Sequence, residues 1–173
     1  TCALPIFGFL YIRSGLKVMP YSDGGAQEFG LRAGTENVAG IVGMAVALKN
    51  NCDALEENTR YVEGLASELV GMLNSSGVKY AMNGGTNRLP GLLSLSFPEF
   101  DGEAILHRLD LAGICISTGS ACNSKSTEIS HVLQAIHLGD KYAKGTIRIS
   151  LGKDNIEDDV EAIFKALMKI FRV

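Results

Sequence analysis

The sequence lacks the features that would take it to a membrane, a nucleic acid or a metal. Uncharged stretches such as Thr1 to Ile12 and Asn37 to Leu48 are too short for a bilayer span, and the first has no basic start of the kind a secretion signal carries. Lysine and arginine nowhere cluster. With a net charge of -3 and a pI near 5.6, the chain has no surface to replace the counterions of a nucleic acid. Cys2, Cys52, Cys115 and Cys122 form no C-x-x-C pair, and His107, His131 and His137 complete no zinc-ligand spacing. We therefore expect no metal site, no direct nucleic-acid or membrane partner, and reduced thiols in a cytoplasmic setting.

What is present is enough to fold. The 173 residues are 46% hydrophobic and 20% charged, sufficient to bury one core, with room for a piece of a second domain. Phe7 to Arg13 is an apolar, aromatic run that predicts a strand closed by Ser14-Gly15. It has no obvious partner, and the chain does not begin with Met. Residues 1–21 are thus expected to be the remnant of another domain, with Thr1 to Ile6 a candidate non-native start.

A glycine-rich loop from Gly24 to Gly34 leads into a helix, with Thr35 as the expected N-cap and Val38, Ile41, Val42, Ala45 and Leu48 at helical spacing. A long amphipathic helix follows, its stripe running through Leu55, Val62, Leu65, Leu69 and Met72 and ending at Ser75-Ser76-Gly77. The pattern then changes to alternation. Leu93, Leu95 and Phe97 share one strand face, and Ser94 and Ser96 the other. Asp101 can cap a short helix to Leu109, Leu111 to Ser117 predicts a further strand, and Val132, Leu133 and Ile136 a short helix. Thr146 to Leu151 alternates strictly, with Ile147, Ile149 and Leu151 inward and Thr146, Arg148 and Ser150 outward. A final helix carries Ile156, Val160, Ile163, Phe164, Leu167 and Phe171, with Asp154 or Asn155 as its cap. Residues 22–173 are read as one α+β unit.

Three features could carry chemistry. Ser117 to Glu128 is a run of small polar residues without apolar periodicity, read as a loop, with Cys122 as its candidate nucleophile. Lys125 would favour the thiolate and Glu128 oppose it, and His131 is a conceivable base. The glycine-rich loop ending at Thr35 could hold a phosphate. An outward Arg148 could clamp a carboxylate. Each also has an ordinary role: a Ser/Gly surface loop, a turn with a cap, a solvated arginine, a structural histidine.

The motifs Gly24-Gly25-x-Gln27-Glu28-x-Gly30-x-Arg32-x-Gly34-Thr35-x-Asn37, Ser117-Thr118-Gly119-Ser120-Ala121-Cys122, Ser130-His131-Val132-Leu133 and Thr146-Ile147-Arg148-Ile149-Ser150-Leu151-Gly152 occur in that order. Together they resemble the cysteine desulfurases of the NifS/IscS type, over the chain from about Gly8 to its end. The resemblance implies an α/β architecture: the C-terminal small domain of the pyridoxal-phosphate-dependent aspartate aminotransferase fold (fold type I), a small sheet packed by helices and preceded by the last strand of a large domain.

It also implies a homodimeric enzyme that takes sulfur from L-cysteine as a persulfide, releases L-alanine, and passes the sulfur to an acceptor such as an iron-sulfur scaffold or a tRNA-thiolation protein. Cys122 matches the nucleophile, carried on the loop 117–128. Arg148 matches the residue that holds the substrate carboxylate. Thr35 matches one that reaches the cofactor phosphate of the other subunit. One feature departs from the family: its cofactor lysine lies in a Ser-x-His-Lys stretch upstream of the strand matched by Gly8 to Tyr11, where this chain has Thr1-Cys2-Ala3-Leu4-Pro5-Ile6. The isolated polypeptide is therefore expected to be inactive and to bind pyridoxal phosphate weakly. Two other readings remain open, a non-catalytic dimerisation or partner-binding module and a different enzyme of the same cofactor fold such as an aminotransferase.

Overall fold

Alternating serine and leucine in one strand, and alternating isoleucine and polar residues in another, build a sheet with one greasy and one polar face. The computed structural model of the chain describes residues 8–118 and 129–172. Within them run α1 (Val38–Asp53), α2 (Leu55–Ser75), β1 (Ala81–Met82), β2 (Leu92–Ser96), α3 (Gly102–Asp110), β3 (Ser117–Thr118), α4 (His131–Ala135), α5 (Asp140–Lys144), β4 (Thr146–Ser150) and α6 (Glu157–Phe171). The chain divides into two compact units, Thr1–Leu55 and Glu56–Val173. This division falls at the head of α2, whereas the sequence reading places its boundary between residues 21 and 22.

In the second unit the strands form an antiparallel sheet of order β1-β2-β4-β3. The register pairs Leu93 with Ile149 and Leu95 with Ile147, so the apolar sets of β2 and β4 fall on the same face. That face meets Val62, Leu65, Leu69 and Leu73 of α2, Ile105 and Leu109 of α3, and Val160, Ile163, Leu167 and Phe171 of α6 in one core. Phe171 stacks against Phe97, ring centroids 4.6 Å apart. The α2 stripe is as expected except at its ends: Leu55 is exposed, and Leu73 is buried where Met72 is only half-buried. Gly145 allows the chain entering β4 to press on β2, for a Cβ there would run into the Phe97 carbonyl oxygen.

Several local expectations are corrected. Gly8 to Arg13 forms no strand; Phe9, Leu10 and Tyr11 are exposed, because a strand needs a neighbour for its amides and carbonyls and none pairs with this segment among the described residues. The Ser14-Gly15 turn is present, closed by Leu16 N donating to Arg13 O at 3.2 Å. Thr35 is not the N-cap of α1. Asn37 is, its Oδ1 accepting from Gly40 N at 3.0 Å, which starts the helix two residues later.

Leu111 to Gly113 does not enter a strand but finishes α3, with Gly113 at φ 77° closing it, so only Ser117 and Thr118 remain to pair with β4. Ser117 was expected to end that strand and begin the loop, and Thr118 to lie in the loop. Neither Asp154 nor Asn155 caps α6. Ile156 occupies that position, and Asp159 reaches back to accept from its amide at 3.1 Å. Asp101 caps α3 as expected, accepting from Ala104 N at 3.0 Å.

The first unit is built differently. The loop before α1 is held by Gln27, whose Oε1 accepts from Gly34 N at 3.2 Å, and by a bridge between Ser22 and Arg32. Among the described residues none of the buried hydrophobic core comes from this unit, and α1 leaves Val38, Ile41, Val42, Val46 and Leu48 exposed.

Candidate functional site

The face of the sheet opposite the core is where polar side chains gather. Asn83, Ser94, Ser96, Thr146, Arg148 and Ser117 share it by strand alternation and register, and α5 supplies a backbone carbonyl from Tyr142. This face is less open than the sequence pattern suggests, since Ser96 is fully buried and Thr146 nearly so. Both are satisfied: Ser96 Oγ and Thr146 Oγ1 are 2.7 Å apart, and Thr146 Oγ1 donates to Tyr142 O at 2.9 Å. Asn83 Nδ2 donates to Ser94 Oγ at 3.1 Å and to Ser96 Oγ at 2.8 Å. Sequence reading missed Asn83, which lies just beyond β1 and carries no periodic signal.

Arg148 is half-buried in the middle of β4, opposite Ser94 on β2 and Ser117 on β3. No carboxylate pairs with it among the described residues, where the acidic partners go to Lys49, Lys141, Lys153 and Lys165. A guanidinium presents a planar fork whose two parallel N–H donors match a carboxylate. Ser117 begins the run that leads to Cys122, and Thr118 Oγ1 donates to Glu103 Oε1 of α3 at 2.7 Å. Cys122 itself lies outside the described residues, as do Lys125 and Glu128. His131, the conceivable base, is the exposed first residue of α4.

Thr35 is exposed in the first unit, and its hydroxyl has no hydrogen-bond partner among the described residues. It fits the phosphate end of pyridoxal phosphate: a free donor that follows Gly34, held at φ 109°. Every described lysine is exposed on the surface. A cleft of about 410 Å³ between α2 and residues 86–93 is lined by Glu63, Val70, Asn74, Arg88 and Leu89 among others, and none of the site candidates borders it. Among the described residues no three His, Cys, Asp or Glu side chains could hold one metal ion, and no helix is long and apolar enough to cross a membrane.

A small antiparallel sheet with helices on its core face and an unpaired arginine on the other defines an α/β small domain of the kind found in NifS-like proteins. One such protein of known structure superposes with a TM-score of 0.82 at 37% identity, covering 94% of this chain and 41% of its own. A second, from Rickettsia africae, gives a TM-score of 0.80 at 33% identity, covering 91% of this chain and 41% of its own. The chain belongs to the aminotransferase class-V family, whose model it matches over residues 8–163. Within that family it is similar to proteins named cysteine desulfurase: that of Gluconacetobacter diazotrophicus is 43% identical over 164 residues, which cover 92% of this chain and 40% of the relative. The chain thus spans about two fifths of the length of these relatives.

Proposed function

We propose that these residues are the C-terminal part of a pyridoxal-phosphate-dependent cysteine desulfurase, which moves sulfur from L-cysteine to Cys122 and releases L-alanine. The single observation that supports this most is Arg148 on the polar face of β4, without a counter-charge among the described residues, directly across from the strand that leads to Cys122. The cofactor, when bound, supplies the electron sink at the substrate's amine.

Arg148 holds the substrate carboxylate by two parallel hydrogen bonds, which fixes the direction of the thiol-bearing arm. The Cys122 thiolate attacks the substrate sulfur. A sulfur–sulfur bond forms, the carbon–sulfur bond breaks with its electron pair going to carbon, and that carbon takes a proton to become the methyl group of alanine. Thr35 would hold the cofactor phosphate of a second subunit through its hydroxyl. The exposed apolar stripe of α1 suits a surface that is covered in a homodimer or by a large domain.

The sulfur then passes to an acceptor protein, for iron-sulfur assembly or tRNA thiolation, in the cytoplasm. The 173-residue polypeptide alone is inactive and binds the cofactor weakly, as its surface lysines suggest. The test uses the complete protein with L-cysteine under anaerobic conditions. Alanine and sulfide should form in equal amounts, and peptide mapping should find the added sulfur on Cys122 and not on the exposed Cys52 or Cys115. Keto acid formed from an amino acid without sulfide would instead establish an aminotransferase.

A further inference from the structure

Asn83 spends both hydrogens of its side-chain amide on the polar face of the sheet, one on Ser94 Oγ and one on Ser96 Oγ. A hydroxyl that accepts from Asn83 still has its own proton to give. For Ser96 the recipient is at hand. Thr146 Oγ1 lies 2.7 Å away and gives its own proton to Tyr142 O, so this branch runs one way, from Asn83 through Ser96 and Thr146 to a backbone carbonyl. Ser94 has no such recipient among the described residues. It is half-buried and stands directly opposite Arg148 in the β2–β4 register, on the same face. Directly opposed residues hold their Cβ atoms about 5 Å apart. One guanidinium fork and one uncommitted hydroxyl proton therefore flank a single position on the sheet.

We propose that Ser94 is a second donor to the substrate's carboxylate, beside Arg148, with its proton turned outward by Asn83. The chemistry of the face selects the ligand class. Among the described strand residues of this face Arg148 carries the one charge, the others being hydroxyls, the Asn83 amide and the apolar Ala81 and Leu92, so the face is positive with no acid to repel a carboxylate. A carboxylate has more lone pairs than the bidentate fork uses, and a hydroxyl can take one of those left over. The identity of the substrate rests on the desulfurase reading above; the carboxylate preference rests on the geometry alone.

The experiment uses the complete protein and two readouts, steady-state kinetics with L-cysteine and calorimetric binding of 3-mercaptopropionate, which keeps the thiol and carboxylate but has no amine. Ser94→Ala should raise KM and weaken the probe by about tenfold, the size expected for one hydrogen bond to a charged group, while kcat changes less than threefold. Ser94→Thr, which keeps the hydroxyl, should return both constants to near wild type. The proposal is overturned if Ser94→Ala leaves KM and probe affinity within twofold of wild type, or if it lowers only kcat. Circular dichroism and thermal melting of both variants confirm the fold, and Ser94→Thr tests the hydroxyl even where the alanine variant is unstable. Probe binding is read whether or not L-cysteine is turned over, so a failure of the desulfurase reading leaves this result separately visible.

Discussion

Ser117 and Arg148 face each other across the β3–β4 pair, so the strand that leads into the run containing Cys122 starts beside the arginine proposed to hold the substrate carboxylate. Two segments far apart in sequence are joined by a ladder only two residues long.

Arg148→Lys should therefore raise KM for L-cysteine in the complete protein by roughly tenfold or more, because a lysine replaces a planar two-bond fork with a point charge. Arg148→Ala should cost more still. Unchanged KM in both variants would show that the carboxylate binds elsewhere.

The polypeptide of 173 residues, mixed with pyridoxal phosphate and reduced with borohydride, should carry no stoichiometric lysine-linked cofactor. Every described lysine is on the surface, where nothing encloses a cofactor ring. Intact mass spectrometry reads the outcome directly, and full labelling of one site would contradict it.

Thr146→Val should destabilise the second unit by about 1–3 kcal/mol, since it leaves the proton of the buried Ser96 hydroxyl without its acceptor and removes one hydrogen bond to the Tyr142 carbonyl, which still accepts from Gly145 N. Gly145→Ala should destabilise as well, because the added methyl meets the Phe97 carbonyl. Urea titration followed by circular dichroism gives both values.

Stability should fall on acidification. Asp159 accepts from the Asn155 side chain and the Ile156 amide, which hold its carboxyl below the usual range; the hydrogen bond and charge of Lys141 do the same for Glu99. With folded pKa values depressed, the stabilisation is present above the unfolded carboxylate value and is lost as pH falls through the folded one, from about pH 4 downward. Asp159→Asn should make the acid limb of a stability–pH curve shallower. An unchanged limb would show that the α6 cap has no linkage to protons.

Much of the second unit was legible in the chain. Alternation gave β2 and β4 and the faces of Arg148 and Ser94, while heptad-like spacing gave α2 and α6, because burial of one face imposes those periods directly. Asp101 and the α3 cap were legible for the same local reason. Of the short elements, α4 was legible from Val132, Leu133 and Ile136, but α5, five residues with one buried side chain, and β3, two residues, are too brief for a period to show. The α1 cap was misplaced because Thr35 and Asn37 are both good caps, and only the path of the glycine loop held by Gln27 chooses between them.

The sequence by itself determined which residues face the core, which motifs resemble a desulfurase, and that Arg148 points away from the apolar side. The tertiary structure alone decided that Ser94, Arg148 and Ser117 stand in one row across three strands, and that Asn83 joins them. Strand pairing over 31 to 54 residues of separation sets that row, as Ser117 to Arg148 and Ser94 to Arg148 show. No local propensity encodes such a pairing; it follows from burying the apolar faces of β2 and β4 against the helices, which fixes the register and with it the polar row on the other side.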